Sequence, residues 1–556
     1  MGDSAPSAAQ LDAAPPIAAE PSAAPPPPTP DLAAAGPAPA PGPARWASWL
    51  VPACVTLVTL AVMLDRIGVP SFWRDEGATL SAVHRTFPQL IRMLGQMDAV
   101  HGMYYVLMWL QVRLAGGGEL AMRLPSALAM AAAAGLLAAL GRRLVSTPAG
   151  LAAGLSFAAI PAVSWFGQDA RPFAVETAFA TAATYCFARL LEASASPSPA
   201  GAGPAAGGCP PSRRSARSGH RGVPGGRPPG QILCWYGASL VALGLANIFG
   251  LLLIAAHGVT LLALRGRTSG QVGRRWLAAV LVAVTALLPL EALAWAQRGQ
   301  VGWLRTPLAG SLAGTGRLVG TPGALLAVAA VMAAATAVAA LGGRSRFQAA
   351  WPARLAALGL PWLAVPPALL ILGSQLQPVY AFRYIVFCEP AAALLIGAGL
   401  AALGRVAGPA ALALIVLAGL PAQLGERGPD GRVDNIRAMD QIIARYARPG
   451  DAVLYPQGPG MVSFAAAYPY GLAGLRDLTA GQSPVQAGTI SGTNAPLGVV
   501  RTRLSRVSRV WVAEADAPQP GRPLVLRGEP FQLIHRWQVS DIWLWLYHRA
   551  GRPDPD

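Results

Sequence analysis

The chain has 556 residues, 53% hydrophobic and 12% charged, with a formal net charge of +17. An average soluble domain is about a quarter charged. Here the charges cluster between apolar runs near twenty residues long, the length a helix needs to cross a hydrocarbon core of about 30 Å, which excludes a soluble multidomain protein. The 43 basic residues are all Arg. They fall between the apolar runs, where the positive-inside rule puts them, so the basicity marks topology rather than nucleic-acid binding.

Residues 1–44 are almost wholly Ala, Pro, Ser and Gly. Such a segment cannot bury enough apolar surface to fold, and it reads as a disordered cytoplasmic tail. It lacks the basic start and apolar core of a signal peptide. Apolar runs then predict eleven spans, near 46–64, 123–141, 149–166, 173–192, 232–247, 248–264, 276–294, 321–341, 355–373, 384–403 and 407–423. With the N-terminus inside, Arg142 and Arg143, the cluster from Arg213 to Arg227, the cluster from Arg265 to Arg275, then Arg344, Arg346, Arg354 and Arg405 all fall on the cytoplasmic side. A polar Arg/Gly/Pro-rich loop over 194–230 carries the second of these groups.

Residues 103–115 are apolar but too short to cross, and Arg113 interrupts them. That length suits a helix lying at the interface, so 65–122 reads as one long outside loop with interfacial helices. The spans make 45–424 a transmembrane domain and leave 425–556 outside. That last stretch predicts a small α/β domain. DNIRAMDQIIARYARPGDAVLYP reads as helix, turn and strand, while SRVWVAEA and DIWLWLYHR read as strands. The five Cys are Cys54, Cys186, Cys209, Cys234 and Cys388. None lies in 425–556 and none shows metal-ligand spacing.

The residues that could carry chemistry gather at outside ends of spans. Asp75 and Glu76 form a carboxylate pair shortly after the first span, suited to a general base or a metal ligand. Asp98 and His101 follow in the same loop and could orient a ligand or hold a cation. Tyr104 and Tyr105 sit at a depth where aromatic anchors belong. Arg123 opens the second span, as a snorkelling Arg or a functional one. Gln168 and Arg171 follow the third span, and Arg171, lying outside against the charge bias, calls for an anionic partner in Asp169 or a bound phosphate. Arg383 and Tyr384 open the tenth span. Asn247 and His257 lie within the fifth and sixth, His257 reading as a packing residue.

The order of these motifs resembles the GT-C glycosyltransferases. The similarity is to the family 39-like branch with protein O-mannosyltransferases and the lipid A aminoarabinose transferase. That branch has a D-E pair after the first span, here Asp75 and Glu76. Its D-x-x-H-P-P-L-Y-Y stretch corresponds to Asp98 through Tyr105, R-L-P-S-A to Arg123 through Ala127, A-R-P-Y to Ala170 through Phe173, and R-Y to Arg383 and Tyr384. Gly102 and Met103 replace the two prolines, and Phe173 lacks the tyrosine hydroxyl.

The resemblance implies a polytopic α-helical membrane fold. It implies a polyprenyl-phosphate sugar donor, mannose being one candidate sugar, and a glycan, lipid or protein acceptor. It makes Asp75, with Glu76 beside it, the base of an inverting transfer. Asp98, His101, Tyr104, Arg123, Gln168, Arg171, Arg383 and Tyr384 become substrate-binding residues. Members differ in using a divalent metal ion, so a metal at Asp75, Asp98 and His101 stays an open alternative. A flippase or a polysaccharide polymerase or ligase is the rival reading. A flippase would need no base and would favour ionisable residues in mid-span, and a polymerase would not need the D-E pair.

Overall fold

The structure is a computed structural model and describes residues 49–193, 229–265, 268–302, 304, 306–319, 350–456, 467–472, 474–515 and 526–551. The expected tail 1–44, nearly all of the expected loop 194–230 and the expected span 321–341 lie outside these.

Helices coincide with the other ten expected spans, but they do not all meet the length and composition that crossing demands. Six described helices do, and a seventh is added if the pair Thr147–Ala159 and Pro161–Gly167 counts as one bent span. The first helix, Leu50–Leu64, has 15 residues, roughly 22 Å at 1.5 Å per residue, which is short of the hydrocarbon core. Ile248–Ala263 is also short. Phe173–Ala193 has the length but carries Glu176, Arg189 and Glu192.

The bent pair turns by 69° at Ile160–Pro161. Proline cannot donate the helical bond and clashes with the preceding turn, so the helix breaks where the sequence shows one run. The long helix Glu119–Leu144 runs through the centre, and two-thirds of its apolar stretch is buried. It packs on Leu50–Leu64, Thr147–Ala159 and Phe173–Ala193. Small residues let these backbones close up, as in other membrane bundles. A Cβ on Gly150 would lie 2.3 Å from the Ala138 carbonyl, and one on Gly397 would lie 2.3 Å from the Ala153 nitrogen. Gly270–Ala296 and Gly404–Glu426 sit at the periphery and are mostly unburied.

The segment after the first helix forms three short helices, Arg74–Val83, Phe87–Gln96 and Gly102–Ala115. Thr86 and Gln89 make a capping box at the start of the second. Tyr104, Tyr105 and Met108 from the third pack in a core with Phe72, Leu80 and Met93. The two tyrosines are therefore fully buried, not the interfacial anchors expected of aromatic residues at that depth.

Residues beyond Glu426 supply the expected helix Ile436–Tyr446 and a five-stranded mixed sheet. The strands are β1 Ala452–Leu454, β2 Arg476–Asp477, β3 Arg509–Ala515, β4 Phe531–Val539 and β5 Ile542–Arg549, in the order β2-β1-β3-β5-β4. β1 runs parallel to β2 and β3, while β5 runs antiparallel to β3 and β4. The sequence signals pointed to β1, β3 and β5. β4 is an edge strand with a mostly exposed middle, so it lacks the buried run that marked the others.

This sheet segment packs onto the loop after the first helix. The Phe72 amide donates to the Tyr468 hydroxyl at 3.0 Å, and Arg437 donates to the Val69 carbonyl at 2.9 Å. Tyr468 and Arg437 both bond Glu119. Ser81 donates to the Ile490 carbonyl at 2.6 Å.

The tightest junction is the pair of Glu76 and Arg123, both fully buried. Arg123 Nε donates to Glu76 Oε1 at 2.8 Å and Nη2 donates to Oε2 at 2.7 Å. The guanidinium also caps the carbonyls of Ile67, Pro70 and Ser71 at 2.8–2.9 Å. Removing one member of a buried pair strands the other and costs about 3–5 kcal/mol. Arg123→Gln should therefore lower the yield of folded, monodisperse protein and its Tm in detergent. Arg113→Gln, whose guanidinium bonds only carbonyls at the edge of the same segment, should do so far less. Equal Tm values for the two variants would contradict this.

Candidate active site

A cavity of about 720 Å³ opens where the first loop meets the ends of several helices. Six of the ten residues singled out in the sequence line it: Asp75, Asp98, His101, Arg171, Arg383 and Tyr384. The other four, Glu76, Tyr104, Arg123 and Gln168, lie buried behind its wall. Glu76 faces Arg123 and accepts from the Ala170 amide at 2.9 Å. Gln168 donates to the carbonyls of Met63 and Asp65 at 2.8 and 2.7 Å. The D-E pair thus divides its labour, because successive helical residues point about 100° apart. Asp75 faces the cavity and Glu76 the core.

Asp75 stands in the first turn of Arg74–Val83. Its Oδ2 accepts from Arg383 Nη1 at 3.2 Å, and both side chains keep about a fifth of their exposure. Arg383 comes from a 3₁₀ turn, Phe382–Cys388, that leads into the helix Glu389–Ala402. Tyr384, next to it, is nearly buried and stacks on Phe249, with ring centroids 4.8 Å apart.

Asp98 has a left-handed backbone, φ 56°, uncommon for a residue other than glycine but tolerated by aspartate. Two glutamines from the far end of Gly270–Ala296 hold it there. The amides of Asp98 and Ala99 donate to the side-chain oxygens of Gln300 and Gln297, each at 3.0 Å. Both glutamines line the cavity. Sequence reading passed over them, because nothing local links residues about 200 positions apart.

Tyr105 joins Asp98 to Arg171. Its hydroxyl donates to Asp98 Oδ2 at 2.9 Å and accepts from Arg171 Nη1 at 3.2 Å. Arg171 thus meets Tyr105, whereas Asp169, one of its two expected partners beside a bound phosphate, accepts from the Trp73 indole at 3.0 Å. Burial works against the charge of Arg171, but Tyr105, Asp75 and Asp98 outweigh it and hold its pKa above the ordinary value. Burial also works against the Asp98 carboxylate. His101 and Arg171 overcome it, and Asp98 is held at about 2. Burial and Arg171 together draw His101 below its usual value, against the pull of Asp98. The cavity wall carries three arginines, Arg171, Arg298 and Arg383, and three carboxylates, Asp75, Asp98 and Glu291.

Asp98 Oδ1 lies 3.8 Å from His101 Nδ1. Among the described residues no group of three or more His, Cys, Asp and Glu side chains could hold a metal ion. Asp75 is turned to Arg383 and Asp98 to Tyr105, so the three candidate ligands do not form a donor set. The residues present fit an anion between two guanidiniums instead.

A second cavity, about 560 Å³, lies on the other side of Arg383. Trp73, Trp165, Phe166, Phe173 and Phe382 give it aromatic walls.

A family model described as Dolichyl-phosphate-mannose-protein mannosyltransferase matches residues 102–209. No curated protein matches the chain. Among solved structures, ArnT from Cupriavidus metallidurans in the apo state superposes with a TM-score of 0.53 and 14% identity, over 90% of this chain and 98% of that one. The same protein bound to undecaprenyl phosphate gives 0.53 and 15% identity, over 92% and 100%. The chain accordingly shares the fold of ArnT from Cupriavidus metallidurans.

Because Arg171 lowers the His101 pKa, Arg171→Gln should raise it toward 6.5: removing a neighbouring cation favours the imidazolium. An NMR titration of histidine-labelled protein, with His101 assigned from a His101→Gln sample, would read the shift. An unmoved or lower pKa would contradict the pairing.

Proposed function

We propose that this GT-C membrane protein is a glycosyltransferase. It moves a sugar from a polyprenyl-phosphate donor to an acceptor hydroxyl at the outer face of the cytoplasmic membrane, inverting the anomeric centre, with Asp75 as general base. The N-terminus is then cytoplasmic, and residues 425–556 form an extracytoplasmic α/β part. The observation that carries this reading is the convergence of Asp75, Arg171 and Arg383 on one cavity. Such a site pairs a base with permanent counter-charges for a phosphate. The family-model match and the fold shared with an enzyme whose structure holds undecaprenyl phosphate support the donor class.

In the reaction, the donor phosphate lies between Arg171 and Arg383. It competes with Asp75 for Arg383 and so frees the carboxylate. Asp75 takes the proton of the acceptor hydroxyl. The acceptor oxygen bonds to the anomeric carbon from the face opposite the phosphate, and the bond from that carbon to the phosphate oxygen breaks. Polyprenyl phosphate leaves with its electron pair, its new charge met by the two guanidiniums. Tyr105 keeps Arg171 in place, and Asp98 in turn holds Tyr105. Sugar identity, mannose or another, is set by the remaining cavity wall.

The test is release of polyprenyl phosphate by purified protein in liposomes offered a panel of polyprenyl-phosphate sugars. Asp75→Asn should reduce turnover by about 10³-fold or more, the scale expected when a required base is removed, while elution and Tm stay unchanged. A fully active Asp75→Asn protein would remove Asp75 from this role. Arg383→Ala and Arg171→Ala should each cost about 10–100-fold in kcat/KM, the size of one charged hydrogen bond of about 1.5–3 kcal/mol. Unaltered kcat/KM in both variants would remove the phosphate from between them.

A further inference from the structure

We infer that Asp434 is a positioning residue for Asp75, so that the sheet segment belongs to the scaffold of the reaction centre. This rests on the proposed role of Asp75. Asp434 is fully buried and lies 360 residues from Arg74, the first residue of the helix that carries Asp75 in its opening turn.

That helix has no side-chain cap of its own, since its N-cap residue is Trp73. The first amides of a helix lack intrahelical partners, and the helix start favours negative charge. Asp434 supplies both needs from outside. Its Oδ2 accepts from the Arg74 amide at 3.0 Å and from Arg74 Nε at 2.9 Å, and its Oδ1 accepts from Arg74 Nη2 at 2.8 Å. One carboxylate thus grips both backbone and side chain of the residue preceding Asp75. A bidentate Arg–carboxylate pair fixes direction as well as distance.

Asp434 is itself held by the sheet. It bridges Ser540 in the turn between β4 and β5, and the Asp541 amide donates to the Val433 carbonyl at 3.3 Å. The same segment steadies the residues just before the helix. Ser71 Oγ accepts from the Arg437 amide at 3.0 Å, and the Phe72 amide donates to Tyr468 at 3.0 Å. A chain of contacts therefore runs from the β4–β5 turn through Asp434 and Arg74 to Asp75. On the other side of Glu76, Arg123 fixes the helix to the membrane part. Asp75 is clamped from two sides, and the aim of its carboxylate depends on both.

Displacement of a reacting group by about 1 Å can cost on the order of 100-fold in rate. Such a displacement removes no phosphate-binding group, because Arg171 and Arg383 lie on other elements, and a loosened Asp75–Arg383 pair eases the donor's competition for Arg383 rather than hindering it. The experiment measures kcat and donor KM for the full-length Asp434→Asn protein in liposomes, with the donor that the wild type turns over. Asn has the same shape and loses only the charge and part of the grip. The expected result is a kcat lowered about tenfold or more with a donor KM lowered or raised by no more than about twofold. A kcat within about twofold of wild type, or a raised KM at unchanged kcat, would overturn the inference.

Should Asp434→Asn fail to reach the membrane folded, Arg74→Lys keeps the charge and removes the fork. The same split at smaller size is then expected, and wild-type kinetics would overturn the inference. A wild type that turns over no donor would instead indict the proposed function. In that case hydrogen exchange at the amides of Arg74–Gly77 decides. Faster exchange there in Asp434→Asn, with the rest of the chain unchanged, supports the positioning role, and unchanged exchange overturns it.

Discussion

The structure turns on one buried ion pair. Glu76 and Arg123 sit fully out of water and bind each other through two hydrogen bonds, and Arg123 spends its remaining donors on three carbonyls of the loop. Every donor of that fork has an acceptor, which is what makes a buried charge tolerable. The loop after the first helix is thereby stapled to the central helix Glu119–Leu144. Glu76 also takes the Ala170 amide, which brings the connection bearing Arg171 to the same place. The arrangement of the cavity follows from this. Asp75 faces outward because its neighbour faces inward.

Around that staple the site is assembled from distant pieces. Asp75 and Asp98 come from one loop, Arg171 from the connection before Phe173–Ala193, and Arg383 from the turn before Glu389–Ala402. Gln297 and Gln300 reach in from the end of Gly270–Ala296 and hold Asp98 in its left-handed turn. Tyr105 bridges the acid and the guanidinium. Asp75, Asp98, Arg171 and Arg383 are each engaged by a neighbour. A rigid, partly dry site of this sort lets fixed charges act more strongly than they would in water.

Part of this was legible in the sequence. Long apolar runs with Arg between them show a membrane protein directly, since no soluble core tolerates so many. The ordered motifs pointed to Asp75, Asp98, His101, Arg171, Arg383 and Tyr384, which share one cavity. The same motifs also pointed to Glu76, Tyr104, Arg123 and Gln168, and here the sequence could not separate roles. A motif residue that braces and a motif residue that faces the ligand look alike in a string. Glu76 and Asp75 are adjacent and differ only in which way the helix turns them.

The sequence by itself determined the solvent the chain lives in, the approximate positions of its helices, and the side chains available for chemistry. Composition and hydrophobic period carry that information locally. Tertiary structure alone decided which carboxylate meets water and which meets Arg123. It alone paired Arg171 with Tyr105 rather than Asp169 and set Asp434 on the helix that bears Asp75. Those partners lie tens to hundreds of residues apart, so no window of sequence contains both. Only folding brings a donor to its acceptor, and the cost of leaving either one unpaired in a dry interior fixes the match.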